Sequence, residues 1–426
     1  MKTLIKNGRV IDPANNIDDV RDIVIESTKI GKIGRNGNNG ADLTIDASGK
    51  IVMPGLVDMH VHLREPGRED KETVASGTRA ALKGGVTTVL AMPNTIPAID
   101  SVDSVKLLSS IIRATACGQV LVCGAITKGR LGKELTDLAR FKKEGVVAIS
   151  DDGASVDSPV ILLKAMRKAR EQRLLVICHC EDKSHSTGGV MNLGAISTRL
   201  GLRGISNESE YKRVQRDLAL AEKAHVSVHI AHVSCAESIE IIAQAKKKGV
   251  RVTCETAPHY FSLTEEAVLD YDSDKKMNPP LRSSKDRDAV QQGLIKGIID
   301  VVASDHAPHT VAEKEIEFDR AEFGVTGLET ELAAAATYLV RPGLLTWADV
   351  CRKLSLNPAR ILGIDKGTLS VGKDADIIII DPNAEWVVSA QDFASKSKNS
   401  CFLGCRLTGK VIQTIYRGTV AYSAEK

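Results

Sequence analysis

The stretch Ile51-Val52-Met53-Pro54-Gly55-Leu56-Val57-Asp58-Met59-His60-Val61-His62 is apolar for most of its length and closes on two histidines one residue apart. Seven further short apolar runs follow: Thr87 to Ala91, Val120 to Ile126, Val146 to Ser150, Leu174 to Cys178, Val226 to Val233, Val250 to Cys254 and Ile298 to Ser304. They recur about every 31 residues, the length of one strand with its crossover helix. Eight such units predict an α/β fold of the closed (β/α)8 barrel type, which takes ~250 residues. An open, doubly wound sheet is the competing arrangement. No Gly-x-Gly-x-x-Gly follows the first run, which removes the dinucleotide-binding version of that rival.

The segments between the runs have helical character. Ser234-Cys235-Ala236-Glu237 has the spacing of a capping box, and Ile239, Ile241, Ile242 and Ala245 continue at helical period. Lys246-Lys247-Lys248 then suits the negative end of the helix dipole as a solvated helix end, with Gly249 as its cap. The two chain ends read differently. From Thr3 to Val52 and from Gly372 to Tyr422 the chain is strand-like, with turns at Asn7-Gly8, Gly31 and Asn36-Gly37, and with the runs Ile377-Ile378-Ile379-Ile380 and Val411 to Tyr416. Each piece is marginal for a core of its own. Joined, they are expected to form one small β-sandwich domain, 1–53 with 369–426, beside a barrel spanning 54–368.

Composition bounds the function. Of 426 residues, 43% are hydrophobic and 26% charged, ordinary for a globular protein. A net charge of +3 and only 3% aromatic residues argue against nucleic acid or a membrane surface as partner. No apolar run approaches the ~18 residues of a membrane span. Met1-Lys2-Thr3-Leu4-Ile5-Lys6-Asn7-Gly8 lacks a signal-peptide core, and nine scattered cysteines suit a reducing compartment. The expectation is a cytoplasmic enzyme.

Its chemistry is written at the ends of the runs. His60 and His62 share one strand face, with Met59 and Val61 expected on the other, so two imidazoles can converge on one cation. His179 closes run five and His232 run six; Asp151-Asp152 follows run four and Asp305 closes run eight. In a (β/α)8 barrel all these ends open onto one face, where catalytic residues sit. His229 has the opposite parity to His232 and is expected to face away, with His225 at the strand's start and His185 in an exposed loop. Cys178 and Cys180 flank His179 with outward parity and read as packed thiols. Asp58 shares the parity of His60 and is expected to orient a ligand. His60, His62 and Asp305 could hold one ion and His179 and His232 a second, with one of Asp151 and Asp152 between them. A water bound there has a pKa near ~7, and Asp305 could accept and return its proton. Zinc suits such a His-rich, carboxylate-supported site, and redox use is not expected.

Pro54-Gly55-Leu56-Val57-Asp58-Met59-His60-Val61-His62 resembles the first-strand signature of the amidohydrolase superfamily. Leu63-Arg64-Glu65-Pro66-Gly67, Ala91-Met92-Pro93-Asn94-Thr95, Cys178-His179-Cys180-Glu181-Asp182, Lys276-Met277-Asn278-Pro279-Pro280-Leu281-Arg282 and Ser304-Asp305-His306-Ala307-Pro308-His309 resemble the dihydroorotases within it. That resemblance covers nearly the whole chain. It implies reversible closure of N-carbamoyl-L-aspartate to L-dihydroorotate, the third step of pyrimidine synthesis. It also implies His60, His62, Asp152, His179, His232 and Asp305 as zinc ligands, two ions bridged by Asp152, and Asp305 as acid/base. The resemblance, not parity, selects Asp152 over Asp151. By the same carry-over His62, Leu63, Arg64, Asn94, Asn278, His309 and the backbone near Phe323 and Gly324 hold the substrate. Arg64 follows His62 by two residues, where a guanidinium could grip a carboxylate bidentately. A homo-oligomer is expected, and some family members bind aspartate transcarbamoylase.

Related hydantoinases, dihydropyrimidinases, allantoinases and some dihydroorotases bridge their metals with a carboxylated lysine at the end of strand four. Here that strand ends Val147-Ala148-Ile149-Ser150-Asp151-Asp152, without a lysine. Two rival functions stand beside the first: a hydantoinase- or allantoinase-type cyclic amidohydrolase, and a metal-free scaffold for aspartate transcarbamoylase. The charged stretch 308–323 at the barrel mouth reads equally as a closing lid or as a solvated loop.

Overall fold

The computed structural model describes residues 2–35 and 40–424; the Asn36-Gly37 turn lies outside them. Eight parallel strands stand in chain order: Leu56–Val61, Val86–Ala91, Gln119–Gly124, Ala148–Ile149, Leu175–Cys178, Val228–Ile230, Val252–Thr256 and Val301–Val302. The first and last strands meet just beyond their ends, where the His62 amide donates to the His306 carbonyl at 2.8 Å and Val61 bridges His306 in parallel. The (β/α)8 expectation holds, and the open sheet falls away.

Helices link the strands, and short polar side chains start them. Thr73, Ser101, Ser158, Ser206 and Ser283 each accept a hydrogen bond from an amide of the turn that follows. The helix Ala236–Lys247 departs from its sequence signature. Cys235 is its N-cap and makes no side-chain cap bond, because Ser234 is bonded to Glu210 and the Ala236 amide donates to Asp286 at 3.0 Å. Tertiary partners displace the local capping box. At the other end Lys248 is the C-cap, and Gly249 takes the left-handed φ of +83° one residue later. Lys246 is not a solvated end: its ammonium donates to Asp300 and to the Ile298 carbonyl, both at 2.7 Å.

The opening run Ile51 to His62 is two strands in two sheets. Ile51–Pro54 belongs to an eight-stranded sheet built from both chain ends, and Leu56–Val61 belongs to the barrel. The break falls at Gly55, where a Cβ would lie 2.3 Å from the Thr87 hydroxyl. In the outer sheet Ile51–Pro54 joins Lys2–Asp12 on one side and, antiparallel, Ile377–Val387 on the other. Strand alternation divides these residues between two cores. Ile51, Met53, Ile378 and Ile380 pack into the core shared with the barrel helices, whereas Val52, Ile377 and Ile379 pack with Ile5, Val10, Ile23 and Ile415. Among the described residues no helix is long and apolar enough to cross a membrane.

Because the Ile378 side chain packs into the core that the outer sheet shares with the barrel helices, Ile378→Ala is expected to destabilise the protein by about 2–5 kcal/mol. Val387→Ala, at an exposed position of the same strand, should stay within about 0.5 kcal/mol. Chemical denaturation of both variants against the wild type checks the difference.

Candidate active site

The strand ends bring six side chains to one place. Asp152 sits at the centre, with Oδ1 3.2 Å from His60 Nε2, 3.3 Å from His179 Nδ1 and 3.6 Å from His232 Nε2, and with Oδ2 3.5 Å from His62 Nε2. Asp305 Oδ1 lies 3.3 Å from His62 Nε2 and 3.6 Å from His60 Nε2. His179 Nδ1 and His232 Nε2 are 2.8 Å apart. Two overlapping sets, His60 with Asp152 and His232, and His60 with His62 and Asp305, have donor atoms spaced to hold a metal ion. His60 Nε2 and Asp152 Oδ1 are buried without any hydrogen-bond partner. Orphaned donor atoms facing one another suit a cation. The residues present therefore fit a metal centre.

Asp151 turns away, its carboxylate taken by the amide and hydroxyl of Thr127. Backbone geometry explains how short strands deliver these groups. His232 and Asp305 take left-handed φ values of +35° and +48°, after their strands have ended. Parity counted through such bends fails, and it fails for His229. That ring is fully buried, with Nε2 3.1 Å from Glu255 Oε2 and Nδ1 2.8 Å from the Thr253 hydroxyl. Met59 likewise packs with Leu90, Met92, Cys123, Ile177 and Ala231 rather than with the helix layer, in a strand whose register slips between Asp58 and Val61. His225 is the exposed C-cap of the helix Asn207–Ala224. His185 is partly buried on Glu208. Cys178 and Cys180 are packed in the core, as expected.

A layer of partners orients the cluster, and the sequence singled out little of it. Glu255 accepts from His60 Nδ1 at 2.6 Å, which leaves Nε2 for the centre. Asn94 Oδ1 does the same for His62 Nδ1 at 2.7 Å, so Asn94 orients this ring. Glu181 lies 3.5 Å from His179 Nε2 and accepts from Asn278 Nδ2 at 3.2 Å. Asp58 accepts from the His60 amide at 3.0 Å and binds Ser304. Burial opposes charge throughout, but at His60 and Asp152 the electrostatic balance wins. Asp152, Glu255 and Asp305 raise His60 well above the ordinary imidazole range, and His60, His179 and His232 hold Asp152 well below the carboxylate range. For His62 burial prevails and its pKa falls.

Arg64 Nε donates to the Pro308 carbonyl at 3.1 Å, and its Nη2 reaches 3.2 Å from His309 Nε2. Burial pushes Arg64 down to about 10, so it is a cation at neutral pH. Lys71 donates to His309 Nδ1 at 3.0 Å, which fixes the tautomer whose Nε2–H donates to the Phe323 carbonyl at 2.8 Å. Leu63 packs its side chain in the core, leaving only its backbone for a ligand. The stretch 308–323 is no free loop: it contains the helix Val311–Lys314, and Glu313 is tied to Arg68 at 2.6 Å and Lys71 at 2.8 Å.

Comparisons with known proteins agree with this geometry. A family model described as dihydro-orotase-like matches residues 49–238, and one described as amidohydrolase family matches 154–422. The dihydroorotase of Elusimicrobium minutum is 51% identical over 98% of this chain and 97% of its own length. That of Pelotomaculum thermopropionicum is 49% identical over 99% and 98%. Among solved structures, the L-hydantoinase of Arthrobacter aurescens is 28% identical with a TM-score of 0.89, over 98% of this chain and 95% of that one.

Removing one orienting charge tests the centre. Glu255→Gln keeps the shape of the side chain but not its charge, and is expected to weaken divalent-cation affinity about 10–100-fold. Competition against a chromophoric chelator measures the loss.

Proposed function

The chain belongs to the dihydroorotases, a family of amidohydrolases, and on that premise we propose that it interconverts N-carbamoyl-L-aspartate and L-dihydroorotate in pyrimidine synthesis. The observation that carries this reading is the cationic Arg64 side chain beside His309, both connected to the rim that holds the six-residue cluster. Dihydroorotate carries a carboxylate on the same ring as its reacting amide, and a fixed guanidinium recognises such a group. Hydantoin and allantoin have none.

The donor set suits zinc: His60, His62 and Asp305 would hold one ion and His179 and His232 a second, with Asp152 as a further carboxylate ligand. Bound there, zinc would lower the pKa of water to ~7 and polarise a carbonyl. The rest is the work of this chain's own residues. Arg64, the Asn94 amide, Asn278, His309 and the backbone at Leu63, Phe323 and Gly324 hold the substrate carboxylate and ring. Asp305 directs Oδ1 toward His60 and His62, and its carboxylate moves the proton. In ring opening, water adds to the ring amide carbonyl and the carbon–nitrogen bond breaks. Asp305 takes the proton from the water and delivers it to the departing nitrogen; ring closure runs the same path backwards. All nine cysteines are free, which agrees with a cytoplasmic setting.

Purified protein is expected to contain zinc and to turn over L-dihydroorotate far faster than hydantoin or allantoin, with activity lost on chelation and restored by zinc. Preference for hydantoin would replace this reading with the hydantoinase one. Asp305→Asn should lower kcat by about 10²–10⁴-fold while leaving the circular dichroism spectrum unchanged.

A further inference from the structure

Two lysines near the barrel mouth are buried and spend their charge on backbone. Lys276 is 2% and Lys314 is 3% exposed. Lys314 Nζ donates to the carbonyls of Glu322 at 2.9 Å, Gly324 at 3.0 Å and Lys276 at 3.3 Å, so each of its three hydrogens has an acceptor. Lys276 Nζ donates to the carbonyls of Phe318 at 2.7 Å and Asp319 at 3.1 Å, and stands 4.6 Å from the centre of the Phe323 ring. The Lys276 backbone completes the clasp, its carbonyl accepting from the Gly324 amide at 3.0 Å. Burying an ammonium is costly, and an apolar side chain would fill the same space without that cost. What the ammonium groups add is direction: carbonyls of the stretch 318–324 converge on two fixed points.

That stretch carries the groups assigned above to substrate. The Phe323 carbonyl fixes His309, and the Gly324 carbonyl also accepts from Asn399 Nδ2 at 3.0 Å, while Asn399 Oδ1 accepts from the His309 amide at 3.1 Å. Gly324 lies so close that a Cβ would meet the Ala307 carbonyl at 2.7 Å. Burial pushes both lysines down to about 8, so both are charged at neutral pH.

We propose that Lys276 and Lys314 are positioning residues that hold 318–324 as a fixed wall of the substrate pocket, with His309 and Phe323–Gly324 in place before substrate arrives. The wall does not open as a lid. This inference rests on the substrate assignment of the previous section. Groups set in place beforehand lower the entropic cost of binding, and their loss weakens substrate and transition state alike.

The test uses the full-length, zinc-loaded protein. Amide hydrogen exchange over 310–324 in the wild type is expected to be slow and to change less than about twofold in saturating L-dihydroorotate. Lys314→Met and Lys276→Met should each raise KM for L-dihydroorotate at least about tenfold, with kcat within about threefold and zinc content unchanged. Exchange should accelerate over 310–324 but not over 56–62. A wild-type segment that exchanges freely and becomes protected only with ligand would overturn the proposal, and that measurement needs no variant to fold. Unchanged KM in a variant with accelerated exchange would overturn it too. A wild type inactive on L-dihydroorotate would instead sink the substrate assignment, leaving the exchange result to report on the wall by itself.

Discussion

The buried carboxylate of Asp152, facing nitrogen atoms of four histidines at 3.2–3.6 Å, is the constraint around which the barrel rim is arranged. An anion taken out of water must find positive charge or hydrogen-bond donors within contact distance. Here the facing nitrogens come from the first, fifth and sixth strand ends, so the carboxylate is surrounded only when those strands stand in the curved barrel. The first and last strands meet at the bond from the His62 amide to the His306 carbonyl. Fold and centre therefore stand together.

Around the cluster lies a set of partners whose task is to fix tautomers. Glu255 and Asn94 each bind the Nδ1 of one imidazole and free its Nε2, while Glu181 lies beside the Nε2 of His179. The last is the mirror of the other two, since His179 offers Nδ1 to the centre. Glu255 also touches His229, so one carboxylate of the seventh strand steadies two rings on different strands.

The architecture was readable because eight apolar runs at even spacing leave few alternatives, and because all six cluster residues lie at run ends. What was not readable follows from geometry that sequence does not display. The run from Ile51 to His62 looks continuous, yet Gly55 lets the chain pass from one sheet to another. Parity placed His229 and Met59 on the wrong face because it assumes an unbroken strand, and here the left-handed His232 and a register slip between Asp58 and Val61 intervene. Ser234 looked like a helix cap until Glu210, a residue 24 positions away, claimed it. Glu255 and Asn399 escaped notice because a single charged or amide residue has no pattern of its own; only the partners across the fold give it meaning.

The strand Ile51–Pro54 pairs with Ile377–Val387, whose residues leave the ribosome more than three hundred positions later. During synthesis the nascent barrel thus has its first strand tethered to a ribbon whose neighbour does not yet exist. Four buried isoleucines must arrive before that seam can zip. A translation product cut short before residue 377 would leave Ile51–Pro54 without its antiparallel neighbour and display an unpaired, apolar sheet edge to chaperones and proteases.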